Sequence, residues 1–271
     1  MLPRIGIIAG KGLLPFSIAD GYIKRGGDCY IALLQDEADL KLNENFKCKV
    51  FKIGMVGAVI EYFKENDVQH LVFAGGINRP NIRSIGVDKV GGVLLGKILK
   101  QKFLGDDTIL RVIANFFEEQ GFKVIASSEI LKNNYFKNEV ITALHPSAAD
   151  MIDIELGIKV LKSLSDVDVG QSVITQNKYV LGIEAAEGTD NLIIRCSSLR
   201  QTASGGVLIK IMKLNQDSRM DIPTIGPDTI LNLAKYNYNG IAIGDTVIII
   251  DQELTVELAN KYKIFIVKAK C

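Results

Sequence analysis

Residues 205–230, GGVLIKIMKLNQDSRMDIPTIGPDTI, set both signs of charge along a path that reads as strand, loop and helix. Lys210, Lys213 and Arg219 lie near Asp217, Asp221 and Asp228, and the loop is held by Pro223 and Pro227 and opened by Gly226. Basic groups so placed can neutralise a pyrophosphate while a carboxylate holds a metal ion or orients water. A structural ion-pair network is the plainer account, and it is the weaker one because functional groups concentrate on such loops. A second acidic group is EAAEGTD (184–190), with Glu184, Glu187 and Asp190 between a strand and a helix. It suits Mg²⁺ or ribose hydroxyls, with Thr189 or Asp190 as a simple N-cap the equal alternative. In GDDTILR (105–111), Asp106 reads as an N-cap and Asp107 sits at the positive end of the helix dipole. Capping explains both acids, while paired carboxylates also suit a hard cation and Arg111 can partner either one.

Two glycine-rich strand ends add a different chemistry. In GIIAGKGLLP (6–15), Gly10 and Gly12 follow a strand and precede a helix, where backbone N–H groups can approach a phosphate. The dinucleotide fingerprint needs a third glycine where Pro15 stands, although Asp36 and Glu37 fall about where a ribose-binding acid would be. In FAGGINRP (73–80), a strand ends in two glycines and is followed by Asn78 and Arg79, whose forked donors suit phosphate. An ordinary turn closed by Pro80 is the competing reading. GGVLLGKI (91–98) imitates a phosphate loop, but Ile98 follows the lysine where a hydroxyl is required, so a core helix is expected. His70 and His145 have no ligand-spaced partner, and no G-x-S-x-G elbow occurs.

These residues need elements to position them, and the pattern supplies a β-then-α alternation. Strands are expected at 4–9, 29–34, 49–53, 70–74 and 122–126, with helices from Pro15 and near 56–66, 90–102 and 107–120. That order argues for a mostly parallel, Rossmann-like sheet covered on both faces. The stretch 132–146, with paired Asn and Pro146, breaks the rhythm, so domains are expected at 1–132 and 147–271 with a linker at 133–146. Ser147 and Asp150 resemble a capping box opening a helix to about 165. Beyond it, strands at 172–175, 179–184, 206–211, 240–243, 246–250 and 263–267 alternate with helices at 189–199, 227–237 and 252–261. Their adjacent strand pairs predict a mixed sheet, so the fold class is α/β in two domains.

With 271 residues and 48% hydrophobic content, a large core is expected. The 32 Lys and Arg balance 31 Asp and Glu, which argues against nucleic acid as a partner. Cys29, Cys48, Cys196 and Cys271 lack metal or disulfide spacing, and Cys29 and Cys196 read as small buried hydrophobes. The opening MLPRIGIIAG enters a strand directly and no apolar run reaches membrane-spanning length, so a reduced, unexported, soluble protein is expected.

Taken in order, IAGKGLLP (8–15), FAGGINRP (73–80), GDDTILR (105–111), DVGQS (168–172), EAAEGTD (184–190), GGVLIKIMK (205–213) and RMDIPTIGP (219–227) resemble one family. It is the UDP-2,3-diacylglucosamine pyrophosphatase of the LpxI type, from lipid A biosynthesis. The resemblance implies two α/β domains with the site between them, in a Mg²⁺-dependent homodimer acting peripherally at the cytoplasmic face of the inner membrane. Water would attack the β-phosphorus of a lipid-linked nucleotide sugar, releasing UMP and 2,3-diacylglucosamine 1-phosphate. The family's essential acid, the Asp of D-x-P-T-I-G, falls on Asp221, as base, water-orienting group or metal ligand. The shared motifs nominate Gly10, Gly12, Leu14, Asn78, Arg79, Gln171, Gly188, Thr189, Lys210, Lys213, Arg219 and Thr224 as substrate contacts. Asp106, Asp107, Glu187 and Asp190 are the nominated metal ligands. Leu214 and Met220 depart from the expected pattern, which bears on loop rigidity rather than chemistry. A nicotinamide-dependent oxidoreductase acting on a nucleotide sugar is the main alternative, opposed by Pro15 and by the lack of a Tyr-x-x-x-Lys. A non-catalytic nucleotide-binding module would leave the charged 210–228 loop without a task.

Overall fold

The computed structural model describes residues 2–39, 46–78, 80, 85–101, 105–131, 139–165, 169–213, 217, 219–220 and 222–270, leaving aside the side chains of Asp106 and Asp107. The chain divides into two compact units, Met1–Lys132 with Asp217–Asp221, and Asn133–Gln216 with Ile222–Cys271. It therefore passes from one unit to the other three times.

The first unit is built on five parallel strands, β1 (Ile5–Ala9), β2 (Cys29–Leu34), β3 (Cys48–Phe51), β4 (His70–Ala74) and β5 (Lys123–Val124), in the order β3-β2-β1-β4-β5. Every residue of β1, IGIIA, is buried, as a parallel strand covered on both faces requires. Helix α1 (Leu14–Lys24) carries Pro15 in its first turn, where the missing N–H costs nothing. Helix α2 (Val56–Glu65) turns Val59, Ile60 and Phe63 inward, at the i, i+1, i+4 spacing of one apolar stripe. Helices α3 (Lys89–Leu99) and α4 (Asp106–Glu119) follow, and the false phosphate loop at 91–98 lies inside α3 as a helix. Helix α3 is capped by Asp88, whose Oδ1 accepts from Gly91 N–H at 2.6 Å. Gly105, not Asp106, is the N-cap of α4, so Asp106 opens the helix itself. A single turn, α5 (Ser127–Ile130), went unforeseen because four residues are too few to show a period.

The second unit opens with α6 (Ala148–Leu164), and its capping box forms as expected. Ser147 N–H donates to Asp150 Oδ2 at 2.9 Å, and Asp150 N–H donates to Ser147 Oγ at 3.2 Å. Five strands then make a mixed sheet: β6 (Ser172–Gln176), β7 (Tyr179–Ile183), β8 (Val207–Lys210), β10 (Gly240–Ile243) and β12 (Phe265–Lys268), ordered β12-β10-β8-β6-β7. β12, β10 and β8 run parallel, while β6 is antiparallel to both β8 and β7. Two-residue strands β9 (Thr224–Ile225) and β11 (Ile248–Ile249) pair separately. Helices α7 (Gly188–Ser197), α8 (Pro227–Lys235) and α9 (Gln252–Lys261) complete the unit. Within the stretch read as linker, Val140 bridges Val267 and Ile141 N–H donates to Ile266 O, so residues 140–141 extend the sheet edge beside β12. Cys29 and Cys196 are buried as small hydrophobes, and burial pushes the Cys29 thiol up to about 11. Among the described residues no helix is long and apolar enough to cross a membrane.

Candidate functional site

Sequence distance is undone at two places, one in each unit. In the first, the chain runs from β1 outward to β2 and β3 and then returns to β4 on the other side of β1, which makes the carboxyl end of β1 a topological switch point. Both glycine-rich strand ends meet there. Gly10 N–H donates to Ala74 O (2.9 Å), Lys11 N–H to Gly76 O (2.7 Å) and Gly76 N–H to Lys11 O (3.2 Å). A Cβ on Gly10 would stand 2.3 Å from Gly76 O, so glycine is the residue this approach permits. Gly12, at φ +86°, then reverses the chain into α1. Leu14 opens that helix with its side chain in the core, leaving only its backbone to face a ligand. Of the two acids after β2, it is Glu37 that reaches this end: its Oε2 accepts from Asn78 N–H at 3.1 Å and lies 3.6 Å from Lys11 Nζ. Glu37 stands among the acids that spacing marks for a ribose, but its pairing with Lys11 exists only through strand order.

The segment Asp217–Asp221 belongs to this first unit although its neighbours in sequence belong to the second. Arg219 holds it. Its Nε and Nη2 form a fork on Asp217, at 3.0 Å to Oδ1 and 2.7 Å to Oδ2, and its Nη1 reaches Glu118 Oε1 at 2.8 Å. The guanidinium holds the Asp217 carboxyl below the usual carboxylate range, against the effect of burial. Met220 packs into the core cluster that contains Phe117 and Leu94. Arg219 is thus committed to two carboxylates of its own unit, a use of the residue that the phosphate reading did not include.

In the second unit, register assembles a polar row. Ser172 pairs with Lys210 across β6 and β8, and Glu184 N–H donates to Ser172 O at 2.9 Å across the other side. Side chains opposite one another share a face of a sheet, so Glu184, Ser172 and Lys210 form one line at the carboxyl end of the parallel strands. Thr189, from the first turn of α7, closes the line. Its Oγ1 accepts from Lys210 Nζ at 2.8 Å, donates to Glu184 Oε1 at 3.0 Å and lies 3.4 Å from Ser172 Oγ. Lys210 and Glu184 are only 6% and 7% exposed, which for such residues demands partners. Gly170, at φ +53°, runs so close to Glu184 that a Cβ would stand 2.0 Å from Glu184 O. Gln171 O accepts from Ile211 N–H, while Gln171 Oε1 and Glu184 Oε2 are buried without a hydrogen-bond partner among the described residues.

The remaining nominated residues are placed as follows. Thr189 and Asp190 do not cap α7: the helix begins one residue earlier, at Gly188 (φ +79°), after Glu187. The Thr189 hydroxyl is drawn instead to the Glu184–Lys210 row. Glu187 Oε1 accepts from Arg195 at 2.5 Å, which lowers the pKa of the acid, and Asp190 Oδ1 accepts from Asn232 at 2.9 Å. Thr224 lies in β9 opposite Ile248, and Lys213 is half-buried after β8. Asp221, Arg79 and the side chains of Asp106 and Asp107 lie outside the described residues. Among the described residues no three of His, Cys, Asp and Glu are grouped to hold a metal ion. Mg²⁺ does not need such a group, since it is usually held by one or two carboxylates together with substrate phosphates and water.

A parallel sheet with a glycine-lined switch point, joined in one chain to a mixed sheet with a buried lysine–hydroxyl–carboxylate row, defines a two-unit α/β protein equipped for an anionic ligand. Residues 4–134 match the LpxI N-terminal domain and residues 137–267 match the LpxI C-terminal domain. The chain belongs to the LpxI family. It is 28% identical over 271 residues to the UDP-2,3-diacylglucosamine pyrophosphatase LpxI of Caulobacter vibrioides, an alignment covering 97% of this chain and 96% of the relative.

Proposed function

We propose that this chain hydrolyses the pyrophosphate of UDP-2,3-diacylglucosamine, yielding UMP and 2,3-diacylglucosamine 1-phosphate by attack of water on the β-phosphorus. The observation that carries the reading is the ordered match of both LpxI domains along nearly the whole chain, with a relative named for this activity. The local chemistry supports it. Attack on a pyrophosphate is slow because the nucleophile meets clustered negative charge, and preorganised cations lower that barrier. Lys210 is a buried cation whose head group is fixed by Thr189, so little reorganisation is needed when charge develops beside it. In this reading Lys210, Lys213 and the backbone N–H groups around Gly10 and Gly12 bind phosphate, and Asp221 directs or deprotonates the water.

Mg²⁺ belongs to the same proposal. Glu187 and Asp190 are engaged by Arg195 and Asn232, so the Asp106–Asp107 pair is the preferred carboxylate source. Bound there, the ion would neutralise phosphate charge. We extend the reading to a homodimer in peripheral contact with the cytoplasmic face of the inner membrane, on the family resemblance and because two acyl chains require an apolar surface.

The test is direct. Purified protein with UDP-2,3-diacylglucosamine and Mg²⁺ should form UMP, and chelation should abolish the reaction until Mg²⁺ is restored. Asp221→Ala should lower kcat by roughly 10²–10⁴-fold. In heavy-oxygen water the label should enter the sugar phosphate, and label in UMP would contradict β-phosphorus attack. Protein that binds NAD(H) and forms no UMP would sink the hydrolase reading.

A further inference from the structure

Glu184 has no assigned part in this chemistry, yet its surroundings are hard to explain as packing. It is 7% exposed, one of its carboxylate oxygens is spent on the Thr189 hydroxyl, and the other is buried without a donor among the described residues. A carboxylate kept only for structure collects donors on both oxygens, because each unpaired buried oxygen forfeits hydration. Local faults of this kind gather where function has constrained the residue.

The row supplies the constraint. Lys210, 6% exposed, carries a charge that burial opposes, and Glu184 stands two hydrogen bonds away through Thr189 Oγ1. A hydroxyl has one proton to give. Because Thr189 donates it to Glu184 Oε1, its lone pairs point to Lys210, which fixes the direction of one ammonium N–H. Replace the acid and the hydroxyl is free to rotate; remove the hydroxyl and the lysine loses its fixed bond.

We propose that Glu184 is a positioning residue for hydrolysis, orienting the Thr189 hydroxyl so that the Lys210 head group is aimed at the pyrophosphate. The inference rests on the functional reading above. Glu184 touches no substrate in this scheme and acts through Thr189 and Lys210 alone.

That dependence dictates the test, a double-mutant cycle in the full-length protein with UDP-2,3-diacylglucosamine and Mg²⁺. Glu184→Gln keeps the shape, deletes the charge and lets either an oxygen or an N–H face Thr189, so the hydroxyl's direction is no longer fixed, and Thr189→Ser keeps the hydroxyl. Glu184→Gln and Thr189→Val should each lower kcat by about tenfold or more with KM changed by less than about threefold. Thr189→Ser should restore most of the loss. In a Lys210→Met background, neither Glu184→Gln nor Thr189→Val should cost more than about a further twofold, since the group they serve is gone. Full, multiplicative losses in that background would overturn the inference, as would Glu184→Gln at the parent rate. If Thr189→Val does not fold, Glu184→Gln alone decides the cycle. A parent protein that forms no UMP refutes the functional reading itself, whereas an active parent with multiplicative losses refutes only the role of Glu184.

Discussion

Met220→Ala is the sharpest test of why the segment 217–221 sits in the first unit. Met220 is 7% exposed within the cluster of Phe117 and Leu94, so truncation removes buried thioether and methylene contacts and leaves a void. Buried Met→Ala changes cost about 2–5 kcal/mol, and the short segment can partly relax, so about 2–3 kcal/mol is expected. For a unit of this size that lowers the melting temperature by about 4–10 °C. Arg219→Met provides the control. Its side chain and that of Glu118 are 32% and 35% exposed, so solvent screens their pair. With the better-shielded Asp217 contact included, about 0.5–1.5 kcal/mol is expected. Calorimetry of the full chain should therefore show the apolar substitution to be the more damaging one. On the proposal that Asp221, the next residue, directs the water, UMP formation by Met220→Ala should fall even at temperatures where the protein remains folded. A Met220→Ala protein melting within about 1 °C of the parent, or one less damaged than Arg219→Met, would refute the claim that burial anchors this segment.

The Arg219–Asp217 fork predicts an acid limb. Asp217 is lowered in the folded protein, so its contribution to stability is fully present above the ordinary carboxylate value near about 3.9 and is lost as pH falls below it through the folded value. Asp217→Asn should lower the melting temperature at neutral pH and flatten its dependence below about pH 4, which thermal scans across pH will measure. Gly10→Ala would force a methyl to 2.3 Å from Gly76 O, a backbone atom that cannot rotate away. It should cost about 1–3 kcal/mol in thermal unfolding and lower UMP formation by at least about tenfold, because the two strand ends must part.

Much of the fold was legible because the signals were local. Buried runs such as IGIIA and CYIALL announce strands, and S-x-x-D at 147–150 announces a cap, since each mechanism operates within a few residues. Elements of two to four residues, β9 and α5, carry no period and were missed. The sites were legible as motifs but not as arrangements. Lys11, Glu37 and Asn78 meet because β2, β1 and β4 are neighbours, and Ser172, Glu184 and Lys210 align because of register. Neither follows from spacing along the chain. The start of α7 shows the same limit: Thr189 has the chemistry of an N-cap, but two buried charges outcompete the helix end for its hydroxyl.

The motif RMDIPTIGP shows why contiguous sequence need not be a structural unit. Met220 is buried in the core of the first unit, whereas Ile222, 8% exposed, and Ile225, 1% exposed, belong to the second. Met220 is thus held by burial within the first unit and Ile225 by burial within the second. Pro223 restricts φ and gives its carbonyl to Ile248 N–H at 2.9 Å, which stiffens the second attachment. The departure of Met220 from the expected family residue then has a physical reading. Met220 shares a core cluster with Phe116, Phe117 and Leu94, where an unbranched, adaptable side chain packs readily. Methionine supplies buried apolar volume at this position.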